Sequence, residues 1–233
     1  MTTKKRIKMG IPGLDDMLTG GLIENSICAI IGTYGTGKTT FALHYIFEGL
    51  KKGEKAIFIS LEERVDQIYE NILERRWNVE PYREKSLFII KLDPTDFNIS
   101  INSIKNDLPD LIKSIGATRV AIDPISLFEG LFDDLAVRRT EMFKFIEMMR
   151  DLNCSFVLTS ETDRENNYSS KYGLIEYLAD TVIILRYVRP SDLSEVHPAV
   201  EVVKMRRSAH SREIKPYDIM QDRINVYSDA SVF

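Results

Sequence analysis

Ser26–Phe47 reads SICAIIGTYGTGKTTFALHYIF. It opens on an unbroken apolar run, passes through a glycine-rich turn, and resumes with Phe41, Ala42, Tyr45 and Ile46 at helical spacing. A strand-length apolar run without alternation is the pattern of a strand buried on both faces. The helix is expected over Lys38 to Lys52, closed by Gly53. Between them, Gly32 to Thr39 (GTYGTGKT) fits GxxxxGK[ST] in the strand–turn–helix setting that gives the pattern meaning. Glycines let successive backbone N–H groups turn inward on phosphate oxygens at the positive end of a helix. Gly32, Thr33, Tyr34, Gly35, Thr36, Gly37, Lys38, Thr39 and Thr40 are therefore the candidate nucleotide-binding residues. Lys38 would reach the terminal phosphates and Thr39 would ligate magnesium.

Working outward, KAIFISL (55–61), SLFIIKL (86–92), RVAID (119–123) and SFVLTS (155–160) repeat the buried-strand pattern. Helices are expected between them over RVDQIYENILERRW (64–77), Ser103 to Ile115, and VRRTEMFKFIEMMRDL (137–152). Strands alternating with helices predict an α/β fold with a mainly parallel sheet covered on both faces. The stretch GIPGLDDMLTGGLIENS (10–26) is turn-rich, with a short helix around Leu14 to Leu18. ETDRENNYSSKYG (161–173) is polar and expected to be mobile. From DTVIILRYV (180–188) onward, strands follow one another at Val200 to Met205, Ile214 to Ile219 and Ile224 to Tyr227, which predicts antiparallel additions at the sheet edge. The chain reads as one domain: an entry segment over 1–25, a core over 26–187, and C-terminal strands over 188–233.

The 233 residues are 44% hydrophobic and 28% charged, an ordinary globular composition, and the formal net charge of -4 gives no global attraction to nucleic acid or membrane. No apolar run nears a membrane span of roughly 18 residues. The basic start MTTKKRIKMGIPG (1–13) lacks the apolar stretch of a signal peptide. Cys28 and Cys154 sit in strand-like segments without CxxC spacing, which fits buried thiols in a reducing cytoplasm. His44, His197 and His210 are scattered, and no transition-metal site is expected.

Asp123 closes a buried strand, where open α/β sheets place their ligands. An ionised carboxylate there is costly unless a cation meets it, so Asp123 is the second candidate magnesium residue after Thr39. Glu62 and Glu63 end the second strand. They suit either a water-orienting role or simple stabilisation of a helix start. Near the end, VVKMRRSAHSREIKPY (202–217) gathers six cationic or protonatable side chains, a solvated face or a phosphate-contacting segment.

Taken together, these stretches resemble the RecA/DnaB-like P-loop ATPases, most closely one domain of the KaiC family and its archaeal single-domain relatives. GIPGLDDMLTGGL, GTYGTGKTT, SLEE, VAIDPIS, TSE, YGLIEYLADTVIIL and KMRRSAHS carry the resemblance over essentially the whole chain. It implies Mg-dependent ATP binding and hydrolysis by a homohexameric ring, with ATP held between neighbouring subunits and a regulatory or signalling role. It implies that Glu62 and Glu63 are catalytic with Lys38, one glutamate polarising the attacking water. It also implies that the segment beginning Lys204-Met205-Arg206, with His210 and Arg212, reaches the neighbour's γ-phosphate. Residues two apart on a strand share a face, so Lys204 and Arg206 can aim at one phosphate.

Three positions depart from the family pattern. Arg207 stands where relatives commonly have glycine, so the tail's backbone is expected to differ. Pro124 follows Asp123 in place of a hydroxyl residue. Glu176 and Tyr177 occupy the positions of the clock protein's adjacent Ser and Thr, so clock-type autokinase activity is not expected. Two other readings remain open: a DNA-binding recombinase paralogue and a nucleotide-sensing subunit with little turnover. The loops around Phe128 to Arg139 and 161–173 offer Arg164, Lys171, Tyr168 and Tyr172, yet Glu161, Asp163 and Glu165 oppose that charge, and nucleic acid is not favoured.

Overall fold

Every apolar run read as a strand is one. The computed structural model describes residues 5–92, 106–189 and 195–230. A short antiparallel hairpin, β1 (Arg6–Ile7) with β2 (Leu22–Ile23), encloses a one-turn helix, α1 (Leu14–Met17). There follow β3 (Ile27–Gly32), α2 (Lys38–Lys51), β4 (Ala56–Ser60), α3 (Val65–Glu74), β5 (Leu87–Lys91) and α4 (Leu108–Ile115). Of the helix expected from Ser103, residues 103–105 lie outside the described ones. The chain continues through β6 (Arg119–Asp123), α5 (Ile125–Glu129), α6 (Leu135–Arg150), β7 (Ser155–Glu161), α7 (Ile175–Leu178) and β8 (Thr181–Val188). It ends with β9 (His197–Met205), β10 (Lys215–Ile219) and β11 (Ile224–Val226).

Among the described residues one sheet of nine strands runs β11-β10-β9-β8-β3-β7-β6-β4-β5. The six strands from β8 to β5 are parallel, and β9, β10 and β11 add antiparallel at the edge. Alternation along each strand splits the apolar residues between two cores. Cys28, Ile30, Phe58, Ala121 and Val157 face α2 and the entry segment. Ala29, Ile31, Ile59, Ile122 and Leu158 face α4, α5 and α6. This is why the runs show no polar face: both sides of the pleat are covered.

The register fixes two opposite edges. Gly32 pairs with Glu161 and Ser60 with Asp123, so the P-loop, Glu62, Asp123 and Glu161 gather where the parallel strands end. Met205 pairs with Thr181, and Thr181 with Cys28, so β9 delivers Lys204 and Arg206 to the edge where those strands begin. Four residues of strand, roughly 13 Å, separate the two edges.

A buried cation ties the entry segment to the sheet. Arg119 is fully buried; its guanidinium grips the Glu54 carboxylate at 2.7 and 3.1 Å and donates to the carbonyls of Lys8 and Tyr45.

Candidate functional site

Packing against the end of the turn after β3 leaves no room for a side chain at Gly37. A Cβ at Gly37 would lie 2.2 Å from Ile219 Cδ1, and Gly37 sits at φ 83°, the left-handed region that favours glycine. The Thr36 hydroxyl donates to the Thr33 carbonyl at 2.7 Å, and Tyr217 Oη donates to the Thr36 carbonyl at 2.6 Å. Lys38 Nζ donates to the carbonyls of Gly32 and Thr33, both at 3.0 Å, so the ammonium lies folded over the turn it serves. Burial lowers the Lys38 pKa, and the fields of Asp123, Glu161 and Glu62 oppose that. Thr40 is held from behind by Arg75 Nη2 at 3.0 Å.

Asp123 is the focus of the site. Thr39 Oγ1 donates to its Oδ2 at 2.8 Å, and the Thr159 hydroxyl from β7 donates to Oδ1. Only 5% of Asp123 is exposed, and burial pushes its pKa up against the pull of the two hydroxyls and Lys38. A carboxylate and a hydroxyl, both hard oxygen donors, suit magnesium. Among the described residues no group of three His, Cys, Asp or Glu gathers that could hold a metal alone. The arrangement therefore fits a cation that arrives with phosphate and takes further oxygens from it.

The paired glutamates part company. The Lys91 ammonium donates to the Glu62 carbonyl at 2.6 Å and the Ser60 hydroxyl to the Glu63 carbonyl at 2.7 Å, which fixes the turn. Glu62 is exposed and its field reaches both Lys38 and Asp123. Glu63 is half-buried and lines a shallow groove with Gln67, Glu70, Asn71 and Glu74 along α3. Burial, then Asp123 and Glu62, raise the Glu63 pKa.

Beside the loop, Thr33, Tyr34, Glu161, Lys171 and Tyr172 line a cleft of about 800 Å³. The segment expected to be mobile is tied to itself: Thr162 bridges Ser170, the Asp163 N–H donates to the Ser169 carbonyl at 2.9 Å, and Lys171 pairs with Glu161 at 2.5 Å. That pair neutralises one of the two cations that a nucleic-acid role would use.

In the basic tail, Lys204 Nζ donates to the Glu176 carbonyl at 2.7 Å, and Arg206 Nη2 to the Tyr177 carbonyl at 2.8 Å. The two cations converge on the end of α7 with Met205 buried behind them. Burial and the neighbouring Arg206 bring the Lys204 pKa down to about 8. Arg207 adopts φ 61°, so it rides on the glycine-type backbone that its side chain was expected to alter. His210 and Arg212 do not join the pair: the turn sends 208–211 towards α1, where the Ser211 N–H donates to Met17 O and Thr19 Oγ1 to Ala209 O. Arg212 is exposed.

Thr159, Ser60, Arg75 and Tyr217 escaped the sequence reading. Each acts as a second layer behind a motif residue, and nothing local in the sequence marks that. Glu161 carried a signal as the acid closing a buried strand.

A protein-family model described as "ATPase: KaiC" matches residues 7–231. The chain is 30% identical over 244 residues to a UPF0273 protein of Pyrococcus horikoshii, covering 97% of this chain and 95% of that one. It is 29% identical over 226 residues to the circadian clock oscillator protein KaiC of Parathermosynechococcus lividus, covering 94% of this chain but 41% of that protein. The chain thus spans under half the length of the clock proteins it matches. A crystal structure of a KaiC-like protein from Pyrococcus horikoshii superposes with a TM-score of 0.84 at 29% identity, over 97% of this chain and 100% of the other. No described helix is long and apolar enough to cross a membrane. With this fold, this P-loop and these relatives, the chain belongs to the KaiC family of ATP-binding P-loop ATPases.

Proposed function

We propose that the chain hydrolyses ATP as one subunit of a ring, with each active site completed by the next copy, and that it works as a regulatory switch. One observation carries this reading. The P-loop and the Lys204–Arg206 pair occupy opposite edges of a single sheet, so they can meet on one phosphate only if they come from different copies. A head-to-tail contact of this kind repeats from subunit to subunit and closes into a ring when the rotation allows. The hexamer that the family resemblance implies is the expected closure.

In this reading the backbone N–H groups of Gly35 to Thr39 cradle the β- and γ-phosphates. Lys38 swings from its own carbonyls onto them. Thr39 and Asp123 would hold magnesium, which would supply charge neutralisation to the phosphates. Glu62, exposed and with its field on both Lys38 and Asp123, polarises the water that attacks the γ-phosphorus, and the bond to the bridging oxygen breaks. Lys204 and Arg206 of the adjoining copy leave the α7 carbonyls and stabilise the charge that moves to the γ-phosphoryl and bridging oxygens.

Steady-state turnover per subunit, followed against protein concentration, tests it. Specific activity rises as subunits assemble, and Arg206→Ala removes the rise by at least about tenfold in kcat while ATP still binds. Specific activity that is independent of concentration and untouched by Arg206→Ala, with subunits remaining monomeric, would end the reading.

A further inference from the structure

Tyr34 stands at the tip of the phosphate loop with 92% of its surface exposed, the most open large apolar side chain among the described residues. At the opposite edge of the sheet, α6 and α7 leave a groove of about 840 Å³ lined by Arg139, Phe143, Glu147, Arg150, Tyr177 and Arg206, among others. Two aromatic rings stand open on it: Phe143 is 55% exposed and Tyr177 is 72% exposed.

Resting on the shared-site reading, reach connects the two. Arg206 lies 2.8 Å from the Tyr177 carbonyl, so a phosphate that Arg206 meets is within about one side-chain length of Tyr177. The same phosphate is wrapped by Thr33 to Thr39 of the other copy. Tyr34, between Thr33 and Gly35, therefore arrives at the groove with it. The charges agree. In the groove Arg150 is paired with Glu147 and Asp180, which leaves Arg139 and Arg206 in excess, whereas in the cleft around Tyr34 Lys171 is paired with Glu161, which leaves Asp163 and Glu165 to outweigh Arg164.

We propose that Tyr34 of one copy seats in the α6–α7 groove of the next, against Phe143 and Tyr177, as an aromatic latch on the subunit contact. The seat explains an aromatic residue on a loop whose nucleotide chemistry uses backbone, Lys38 and the Thr39 hydroxyl. Exposed rings gain by edge-to-face or offset packing once water is excluded.

A double-mutant cycle on assembly tests the latch. The midpoint concentration of assembly is measured by mass photometry with a non-hydrolysable ATP analogue for the wild type, Tyr34→Ala, Phe143→Ala and the pair. Each single change raises the midpoint by about tenfold, and the pair raises it no further than the larger single, because both remove one contact. Shifts that multiply in the pair, or singles that leave the midpoint in place, overturn the latch while the shared-site reading stands. A wild type that never assembles overturns both. Independently, Tyr34→Cys with Phe143→Cys gives an oxidised ladder of covalent oligomers that neither single change gives; Cys28 and Cys154 are buried at 0% and 3% exposure and stay silent. An assembled double variant that forms no ladder also rejects the latch.

Discussion

Thr39 Oγ1 lies 2.8 Å from Asp123 Oδ2, a hydrogen bond that reaches from the first turn of α2 across β7 to the end of β6. The two oxygens satisfy each other, and under the proposed function magnesium arriving with nucleotide would take over part of that contact. Asp123→Asn is expected to weaken ATP binding in magnesium by about tenfold or more, with little change in its absence. Calorimetry in magnesium and in a chelator reads the difference; equal losses in both would assign Asp123 a structural role only.

The two glutamates are expected to differ. Glu62→Gln lowers kcat by about a hundredfold or more while leaving ATP affinity nearly unchanged, because the lost group acts on water. Glu63→Gln is milder, since that side chain lies along the α3 groove. The reverse order, measured by phosphate release, would exchange their roles.

Arg119 is the expected stability anchor. Arg119→Leu takes the guanidinium from Glu54, which keeps the Thr118 hydroxyl, and from the carbonyls of Lys8 and Tyr45, and costs about 3 kcal/mol or more in urea unfolding. A loss below about 1 kcal/mol would show that the entry segment is held by its apolar contacts alone.

Glu129 sets a pH dependence. It is fully buried at the end of α5, and neither carboxyl oxygen has a hydrogen-bond partner. Burial first, then the field of Glu176, push its pKa up to about 8, against Arg138 and Lys171. The folded state thus keeps a proton that the unfolded chain gives up near its ordinary value of 4.5. Stability is full below that value, falls as pH rises towards 8, and then levels. Glu129→Gln is expected to flatten the thermal-midpoint profile between these limits and to melt several degrees above the wild type at pH 8. Parallel profiles for the two proteins would contradict this.

What was legible in the sequence was local. Apolar runs between helical segments gave the strands, GTYGTGKT gave the loop, and the alternation Lys204-Met205-Arg206 gave two cations on one face. Strand order was not legible, because parallel pairing is chosen by how helices cross the sheet and not by any single run. Arg119 and Glu129 were hidden for a related reason: each is a charged residue inside an apolar segment, and its meaning lies in partners, or their lack, far along the chain. His210 and Arg212 were grouped with Lys204 and Arg206 by the family resemblance; in the structure the chain turns at Arg207, φ 61°, and the Ser211 N–H donates to the Met17 carbonyl beside α1.

Mixing two inactive variants tests the central claim most directly. Lys38→Ala lacks a working phosphate loop but keeps its tail, and Arg206→Ala keeps the loop but lacks the cation. If each site takes its loop from one copy and its cation from the next, an equimolar mixture regains about a quarter of wild-type turnover, because random assembly gives that share of contacts both intact halves. A mixture no more active than the sum of its components would contradict a site shared between subunits.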